Sequence, residues 1–169
     1  MSDRVKSPPA GMPRIVPMVS YEDVVAAASW LEAAFGFRER LRYAEPDGTL
    51  SHLQLEFGDD GLIMLGSAGG NYVSPRRHAR TCDVMRQVYD TDLVSDGLHV
   101  YVDDVEAHYE RARQGGATIL SGLENTPFGD RHYRVEDPEG HRWMFAQHVR
   151  DLEAGEWGAE PSSSDPRDS

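Results

Sequence analysis

The sequence predicts an α+β protein made of two tandem β-α-β-β-β modules. Two observations lead to this fold class: the order of strand and helix patterns in the first half recurs in the second, and identical residues match at a constant spacing. A shift of 80 positions superposes Gly36 on Gly116, His52 on His132, Glu56 on Glu136 and Met64 on Met144. The agreement is spread over a whole module, which indicates a repeated structural unit.

The elements follow from alternating apolar residues, helical periodicity and turn signals such as EPDG and FGDDG. The first module is predicted to contain a strand near 15–21, a helix near 24–34 and strands near 38–44, 51–57 and 62–65. The second is predicted to contain a strand near 98–102, a helix near 105–114 and strands near 118–120, 131–135 and 142–146. Gly36 and Gly116 follow the two helices, where a residue of positive φ is needed. In the first strands a shift of 81 fits better, which indicates a one-residue slip between strand and helix.

The modules are expected to form one domain over residues 13–149, since the chain is too short for two independent domains of ordinary size. Module one covers about 13–66, a crossover loop about 67–96 and module two about 97–149. Prolines and glycines predict disorder in residues 1–12, and a low apolar content predicts an acidic, disordered tail over 150–169. Trp157 is the exception, because it can anchor the start of that tail.

Composition excludes several classes of function. A formal net charge of −12 argues against nucleic acid and anionic membranes, which recruit proteins through basic patches. There is no run of eighteen apolar residues, and prolines and charges stand near the N-terminus where a secretory signal would be apolar. We therefore expect a soluble, cytoplasmic protein. The single cysteine, Cys82, excludes an intrachain disulfide.

Three segments carry a family resemblance. The stretch VYVDDVEAHYERARQGGATIL and the following FGDRHYRVEDPEGHRWMFAQ, with a DPEG turn before the last strand, resemble the second module of glyoxalase and bleomycin-resistance proteins of the vicinal oxygen chelate superfamily. The segment PMVSYEDVVAAASWLEAAFGF resembles the first module. The resemblance covers about residues 13–149. It implies two modules whose sheets curl around a shared cup, helices on the convex face, and a homodimer.

Strand alternation sorts the side chains onto two faces. Apolar residues such as Leu53, Leu55, Tyr133 and Trp143 belong to the face packed beneath the helices. The opposite face is predicted to line the cup and to bind a ligand. The candidate ligand-binding residues are Met18, His52, Gln54, Met64, His99, Tyr101, His132, Arg134 and Met144.

No metal site is expected. Metal-dependent relatives draw ligands from the first and fourth strands of each module, and those positions correspond here to Val16, Met64, Gly97 and Met144. These side chains either lack a donor atom or offer a thioether, which suits copper(I) better than the divalent ions of this family. A register slip would bring in Asp96, but one carboxylate does not make a tight site. A less favoured alternative is an unusual metal site built from His52, His99, His132, Glu56 and Glu136.

The favoured function is therefore metal-free, cofactor-free binding or sequestration of a small organic compound, with an aromatic compound preferred because methionines adapt to planar ligands. The alternative is a metal-independent isomerase, cyclase or lyase that uses His132, Glu136 or Tyr101 as general acid or base. A metal-dependent glyoxalase or dioxygenase is disfavoured by the missing ligands.

The crossover loop contains three arginines, Arg76, Arg77 and Arg80, in an otherwise acidic chain, and its CDVMRQVY stretch can form a short helix. The favoured interpretation is a solvated crossover that braces the modules. The alternative is a flap that carries arginines to an anionic ligand or to a neighbouring subunit.

Overall fold

A computed structural model describes residues 7–91 and 97–160. The first module contains β1 (Met18–Tyr21), α1 (Val24–Phe35), β2 (Arg38–Ala44), β3 (Leu50–Phe57) and β4 (Gly61–Ser67). The crossover contributes α2 (Pro75–Thr81) and α3 (Asp83–Tyr89). The second module contains β5 (Leu98–Tyr101), α4 (Val105–Gln114), β6 (Thr118–Asn125), β7 (Asp130–Glu136) and β8 (Arg142–His148), followed by a short 3₁₀ helix (Ala154–Trp157). None of the helices in these described ranges has the length and apolar character of a membrane span.

The two sheets have the same topology, which confirms the predicted α+β class and tandem modules. Their strand orders are β1-β4-β3-β2 and β5-β8-β7-β6, with the outer β1–β4 and β5–β8 pairs parallel and the others antiparallel. Met18 pairs with Met64 in the first sheet, and His99 pairs with Met144 in the second. The first strands are therefore offset by 81 and the last strands by 80, so the predicted one-residue slip is present.

The helix ends follow from their capping residues. Asp23 begins α1 by accepting hydrogen bonds from the backbone N–H groups of Val25 and Ala26, and Asp104 begins α4 in the same way. Gly36 ends α1 with φ of +86°, and Gly116 follows α4 with φ of +82°. Both glycines thus adopt the left-handed conformation that the sequence predicts at these positions.

The buried faces of the strands form a core that both modules share. Trp143 is 1% exposed, and its ring lies 5.5 Å from the ring of Phe35 and 5.6 Å from that of Phe37, which both belong to the first module. Phe35 also packs edge-on against Phe145 at 4.8 Å. The modules are joined through this core and through contacts between α1 and α4. The two sheets remain open and do not close around one shared cup within the described chain.

The DPEG turn connects the modules to the crossover. One carboxylate oxygen of Asp137 accepts hydrogen bonds from three backbone N–H groups of the turn, and the other accepts from the Tyr21 hydroxyl at 2.6 Å and the Trp143 indole at 3.2 Å. Gly140 has φ of +91°, and a Cβ there would lie 2.6 Å from the hydroxyl oxygen of Tyr89. Only glycine fits here, so α3 can approach the turn closely.

The crossover contains the helix expected near its CDVMRQVY stretch, and a preceding helix that was not expected. It is bound to both modules: Tyr72 donates to the Ser20 carbonyl at 2.8 Å, the Ser74 N–H donates to Glu22 at 2.7 Å, and the Arg76 N–H donates to the Glu139 carbonyl at 2.9 Å. These contacts hold the start of α2 against the end of β1 and against the DPEG turn.

The flanking segments make few contacts. Arg40 donates to the Gly11 carbonyl at 3.0 Å, and the Trp157 ring lies 5.9 Å from that of Phe128. Residues 1–6 and 161–169, on which part of the predicted disorder falls, lie outside the described residues.

Candidate functional site

A cavity of about 590 Å³ lies on the face of the second sheet that is turned away from α4, beneath α2 and α3. We call it the second-sheet cavity. The crossover contributes its covering residues Arg76, Arg80, Tyr89, Asp90 and Thr91. The sheet side is lined by Gly97, Leu98, His99, Thr118, Leu120, Arg134, Glu136, Arg142, Trp143 and Met144. No residue of the first module lines it.

Three predicted ligand-binding residues meet in this cavity: His99, Arg134 and Met144. Met18 lies instead in a neighbouring cavity of about 430 Å³, which shares Gly97, Leu98 and Arg142 with the first.

The other candidates lie elsewhere. His52, Gln54 and Met64 occupy equivalent positions on the first sheet and do not line the second-sheet cavity. Tyr101 and His132 belong to the same sheet as the cavity but also lie outside its lining. Their predicted role in ligand binding stays a prediction.

Of the three acid–base candidates, only Glu136 lines the cavity. His132 forms a hydrogen bond with Glu124 at 3.1 Å. Tyr101 donates its hydroxyl hydrogen to Asp130 at 2.8 Å, and this hydrogen bond raises the pKa of Tyr101. A raised pKa lowers both the fraction of phenolate available as a base and the acidity of the hydroxyl, so Tyr101 is a weaker candidate for either role.

Glu136 is the centre of a buried polar cluster. Its side chain is 3% exposed. One carboxylate oxygen pairs with the Arg76 guanidinium at 3.2 Å, and the other pairs with the Arg142 guanidinium at 3.0 Å. The Tyr89 hydroxyl donates to the same carboxylate. Burial, and then the hydrogen bond to Glu136, raise the pKa of Tyr89 to about 12, so this tyrosine stays protonated at neutral pH.

Arg142 links α3 to the second sheet through hydrogen bonds and a cation–π contact. Besides Glu136, its guanidinium donates to the carbonyl of Thr91 at 2.8 Å and to the carbonyl of Tyr89, and it lies over the Tyr89 ring at 5.3 Å from the centroid. A planar guanidinium suits this arrangement, because it presents several donors in a fixed fork and stacks on aromatic faces.

The crossover arginines lie in two different surroundings. Arg77 pairs with Glu22 at 2.8 Å and braces α2 against the first module. Arg76 and Arg80 line the cavity, where Arg76 also pairs with Glu136 of the second module. Positions i and i+4 share one face of a helix, whereas position i+1 lies on another, which explains the division.

His99 and His148 differ in their electrostatic environment. Partial desolvation lowers the pKa of His99, which favours its neutral form. Hydrogen bonds to Asp130 and Asp151 raise the pKa of His148. The cavity thus presents a neutral imidazole as a hydrogen-bonding group.

The described residues were compared with the donor set that a divalent metal centre needs. Met144 lies in the cavity at one of the positions that carry ligands in metal-dependent relatives, and Met64 occupies the matching place in the first sheet. Within residues 7–91 and 97–160, no three His, Cys, Asp or Glu side chains are grouped so that they could hold a metal ion. Glu56, from the unusual metal site considered above, pairs with Arg38 at 2.7 Å. Asp96 lies outside the described residues.

Comparison with known proteins identifies the family. A sequence profile described as the glyoxalase/bleomycin resistance protein/dioxygenase superfamily matches residues 14–145. The chain belongs to this superfamily. An uncharacterised protein of Mycobacterium tuberculosis strain H37Rv is 31% identical over 156 residues, which cover 89% of this chain and 84% of the relative.

Several solved structures show the same fold. TioX from Micromonospora sp. ML1 is 32% identical, with a TM-score of 0.60 over 82% of this chain and 100% of that chain. A glyoxalase/bleomycin resistance protein/dioxygenase family enzyme from Burkholderia phytofirmans PsJN is 19% identical, with a TM-score of 0.53 over 78% and 95%. The fosfomycin resistance protein FosX from Listeria monocytogenes is 9% identical, with a TM-score of 0.54 over 80% and 93%, so its likeness concerns the fold alone.

Proposed function

We propose that this superfamily member binds a small organic compound in the second-sheet cavity without a metal ion. The observation that carries the proposal is the cavity itself: about 590 Å³ in volume, with His99, Arg134 and Met144 in its wall. Pockets for small molecules typically measure about 300–1,000 Å³ and combine an apolar wall with a few polar groups. The second-sheet cavity has both properties.

The apolar part of the wall favours a flat or aromatic compound. Leu98, Leu120 and Met144 provide aliphatic and thioether surface, and a polarizable thioether packs well against a ring. His99 adds a neutral hydrogen-bonding group. The consequence of such binding would be sequestration of the compound, and resistance if the compound is an antibiotic.

Met144→Glu tests this site, with the neutral fluorescent compound N-phenyl-1-naphthylamine as the ligand. A carboxylate in the cavity wall must be desolvated by an apolar ligand, so we expect binding to weaken at least about tenfold. Val25→Glu is the matched control, because Val25 is 42% exposed on α1 and lies outside the cavity. Equal affinities for wild type and Met144→Glu in a fluorescence titration would contradict the proposal.

We propose that no metal ion is bound because the positions that correspond to metal ligands in the family lack suitable donor atoms. These positions are Val16, Met64, Gly97 and Met144. We expect elemental analysis of the purified protein to find less than one divalent metal ion per chain after dialysis. One retained zinc, iron, nickel or manganese ion per chain would overturn it.

The enzymatic alternative has weaker support. General acid–base catalysis needs a titratable group free to exchange a proton with the substrate. Glu136 is the one candidate in the cavity, and its oxygens already accept hydrogen bonds from Arg76, Arg142 and Tyr89. Conversion of a bound compound by the wild-type protein, detected by mass spectrometry, would favour the enzyme.

We extend the proposal to a cytoplasmic homodimer, as the family resemblance implies. Apolar side chains on the strands remain exposed, among them Met18 at 65%, Leu41 at 47% and Tyr43 at 53%. A second copy would remove this surface from water. Light scattering should therefore give twice the monomer mass, and a monomer at every concentration would contradict the dimer.

A further inference from the structure

The second-sheet cavity concentrates positive charge in an acidic protein. The whole chain has a formal net charge of −12, yet four arginines line the cavity: Arg76, Arg80, Arg134 and Arg142. The described part of the wall contains two carboxylates, Glu136 and Asp90. Such a local reversal of sign is a common feature of sites that recognise anions.

The hydrogen bonds within the protein use the arginines unequally. Arg142 is engaged by Glu136 and by the backbone carbonyls of α3 and the residues after it. Arg76 uses one terminal nitrogen for Thr118, Glu136 and the Asp137 carbonyl, whereas its Nε is buried and has no hydrogen-bond partner among the described residues. A buried donor without an acceptor costs free energy, so the described residues leave part of the hydrogen-bonding capacity of Arg76 unused.

Arg80 is the second available donor. It lies one helical turn after Arg76 on α2, lines the same cavity and makes no ion pair with any residue within 7–91 or 97–160. The two guanidinium groups thus approach the cavity from its α2 side. A guanidinium matches a carboxylate, sulfonate or phosphate group, because each of these anions can accept two parallel N–H donors.

We infer that the ligand carries an anionic group, which Arg80 and Arg76 bind at the α2 end of the cavity while its apolar part lies against Leu120 and Met144. This inference rests on the proposed function and adds the ligand's charge and orientation. It also assigns a second role to the crossover, which contributes specificity as well as a bridge between the modules.

A pair of fluorescent compounds isolates the anionic group. N-phenyl-1-naphthylamine is neutral, and 8-anilinonaphthalene-1-sulfonate has the same aromatic frame with an added sulfonate. In Arg80→Gln we expect the sulfonate compound to bind about tenfold more weakly, since a charge-assisted hydrogen bond is lost, and the neutral compound to bind within twofold of wild type. Arg86→Gln is the matched control: Arg86 lies on α3, pairs with Asp83 and does not line the cavity.

The outcomes separate the inference from the proposed function. Equal losses for both compounds in Arg80→Gln, or equal losses of the sulfonate compound in Arg80→Gln and Arg86→Gln, would overturn the inference even if Met144→Glu weakens binding of the neutral compound. If Met144→Glu leaves both compounds unaffected, the proposed function fails as well.

Discussion

Replacing Trp143 with alanine should lower the free energy of unfolding by about 3–5 kcal/mol, the usual cost of deleting a large aromatic side chain from a core. Trp143 is 1% exposed and contacts aromatic rings of both modules. Its indole N–H also donates to Asp137, so the variant leaves a buried carboxylate with one donor fewer. The deleted side chain would leave an empty space in the core where the two modules meet.

Urea denaturation of the wild type and Trp143→Ala measures this effect. Trp157→Ala is the matched control, because Trp157 is 42% exposed on the terminal 3₁₀ helix and should change stability by less than about 1 kcal/mol.

The neighbouring residue of β8 tests the assignment of the two strand faces. Met144→Glu should lower the free energy of unfolding less than Trp143→Ala, since Met144 lies on the cavity face. If Met144→Glu unfolds the protein while Trp143→Ala is nearly silent, the two faces of β8 are assigned the wrong way round.

Replacing Glu136 with glutamine should be the second large effect, at about 3 kcal/mol or more. The variant keeps the shape of the side chain, which is 3% exposed, but removes the charge that pairs with Arg76 and Arg142. Deleting one partner of a buried ion pair typically costs about 3–5 kcal/mol, because the remaining charge stays uncompensated. The contact between α3 and the sheet should weaken with it.

The repeat supplies the control for this experiment. Glu56 occupies the equivalent position in the first sheet and pairs with Arg38 and Arg40, but its side chain is 29% exposed. Water screens such a pair, so Glu56→Gln should change the free energy of unfolding by less than about 1 kcal/mol. Equal midpoints for the two variants in urea denaturation would show that the Glu136 cluster does not stabilise the fold.

The fold was predictable because it depends on patterns that recur. The order of elements, the glycines after the helices and the buried faces of β3, β4, β7 and β8 all follow from periodicity, and the structure confirms them. The strand β6 extends to Asn125, well beyond the predicted end at 120. Its apolar positions are interrupted by serine, glycine and glutamate, so alternation alone could not reveal the remainder.

The site was predictable only in part. Strand alternation predicts which face of each sheet can line a cavity, but it cannot tell which of the two sheets carries the ligand site. In the first sheet, residues Gly11, Met12 and Pro13 lie beside Arg38, Arg40 and Glu56 in a cavity of their own. In the second sheet, α2 and α3 lie over the corresponding positions. Arg134 and Arg142 stand where the first module has Gln54 and Leu62, and this difference was the available signal for an anion-binding second sheet.

No pattern in the sequence indicated that Tyr89 forms a hydrogen bond with Glu136. It lies 47 residues before Glu136 in the chain, and only the packing of α3 on the second sheet brings its hydroxyl to that carboxylate. His108 likewise shows no sequence signal of its position: it is buried, and its ring forms hydrogen bonds with the Tyr133 hydroxyl and the Phe35 carbonyl.

The most direct test of the proposed function is methionine methyl NMR during titration with N-phenyl-1-naphthylamine. The chain has six methionines, and among those within the described ranges Met144 is the one in the wall of the second-sheet cavity, while Met12 lies beside the first sheet. We predict a saturable shift of the Met144 methyl signal, caused by the aromatic ring nearby, and no shift at Met12. An unchanged Met144 signal at saturating compound would contradict binding in this cavity.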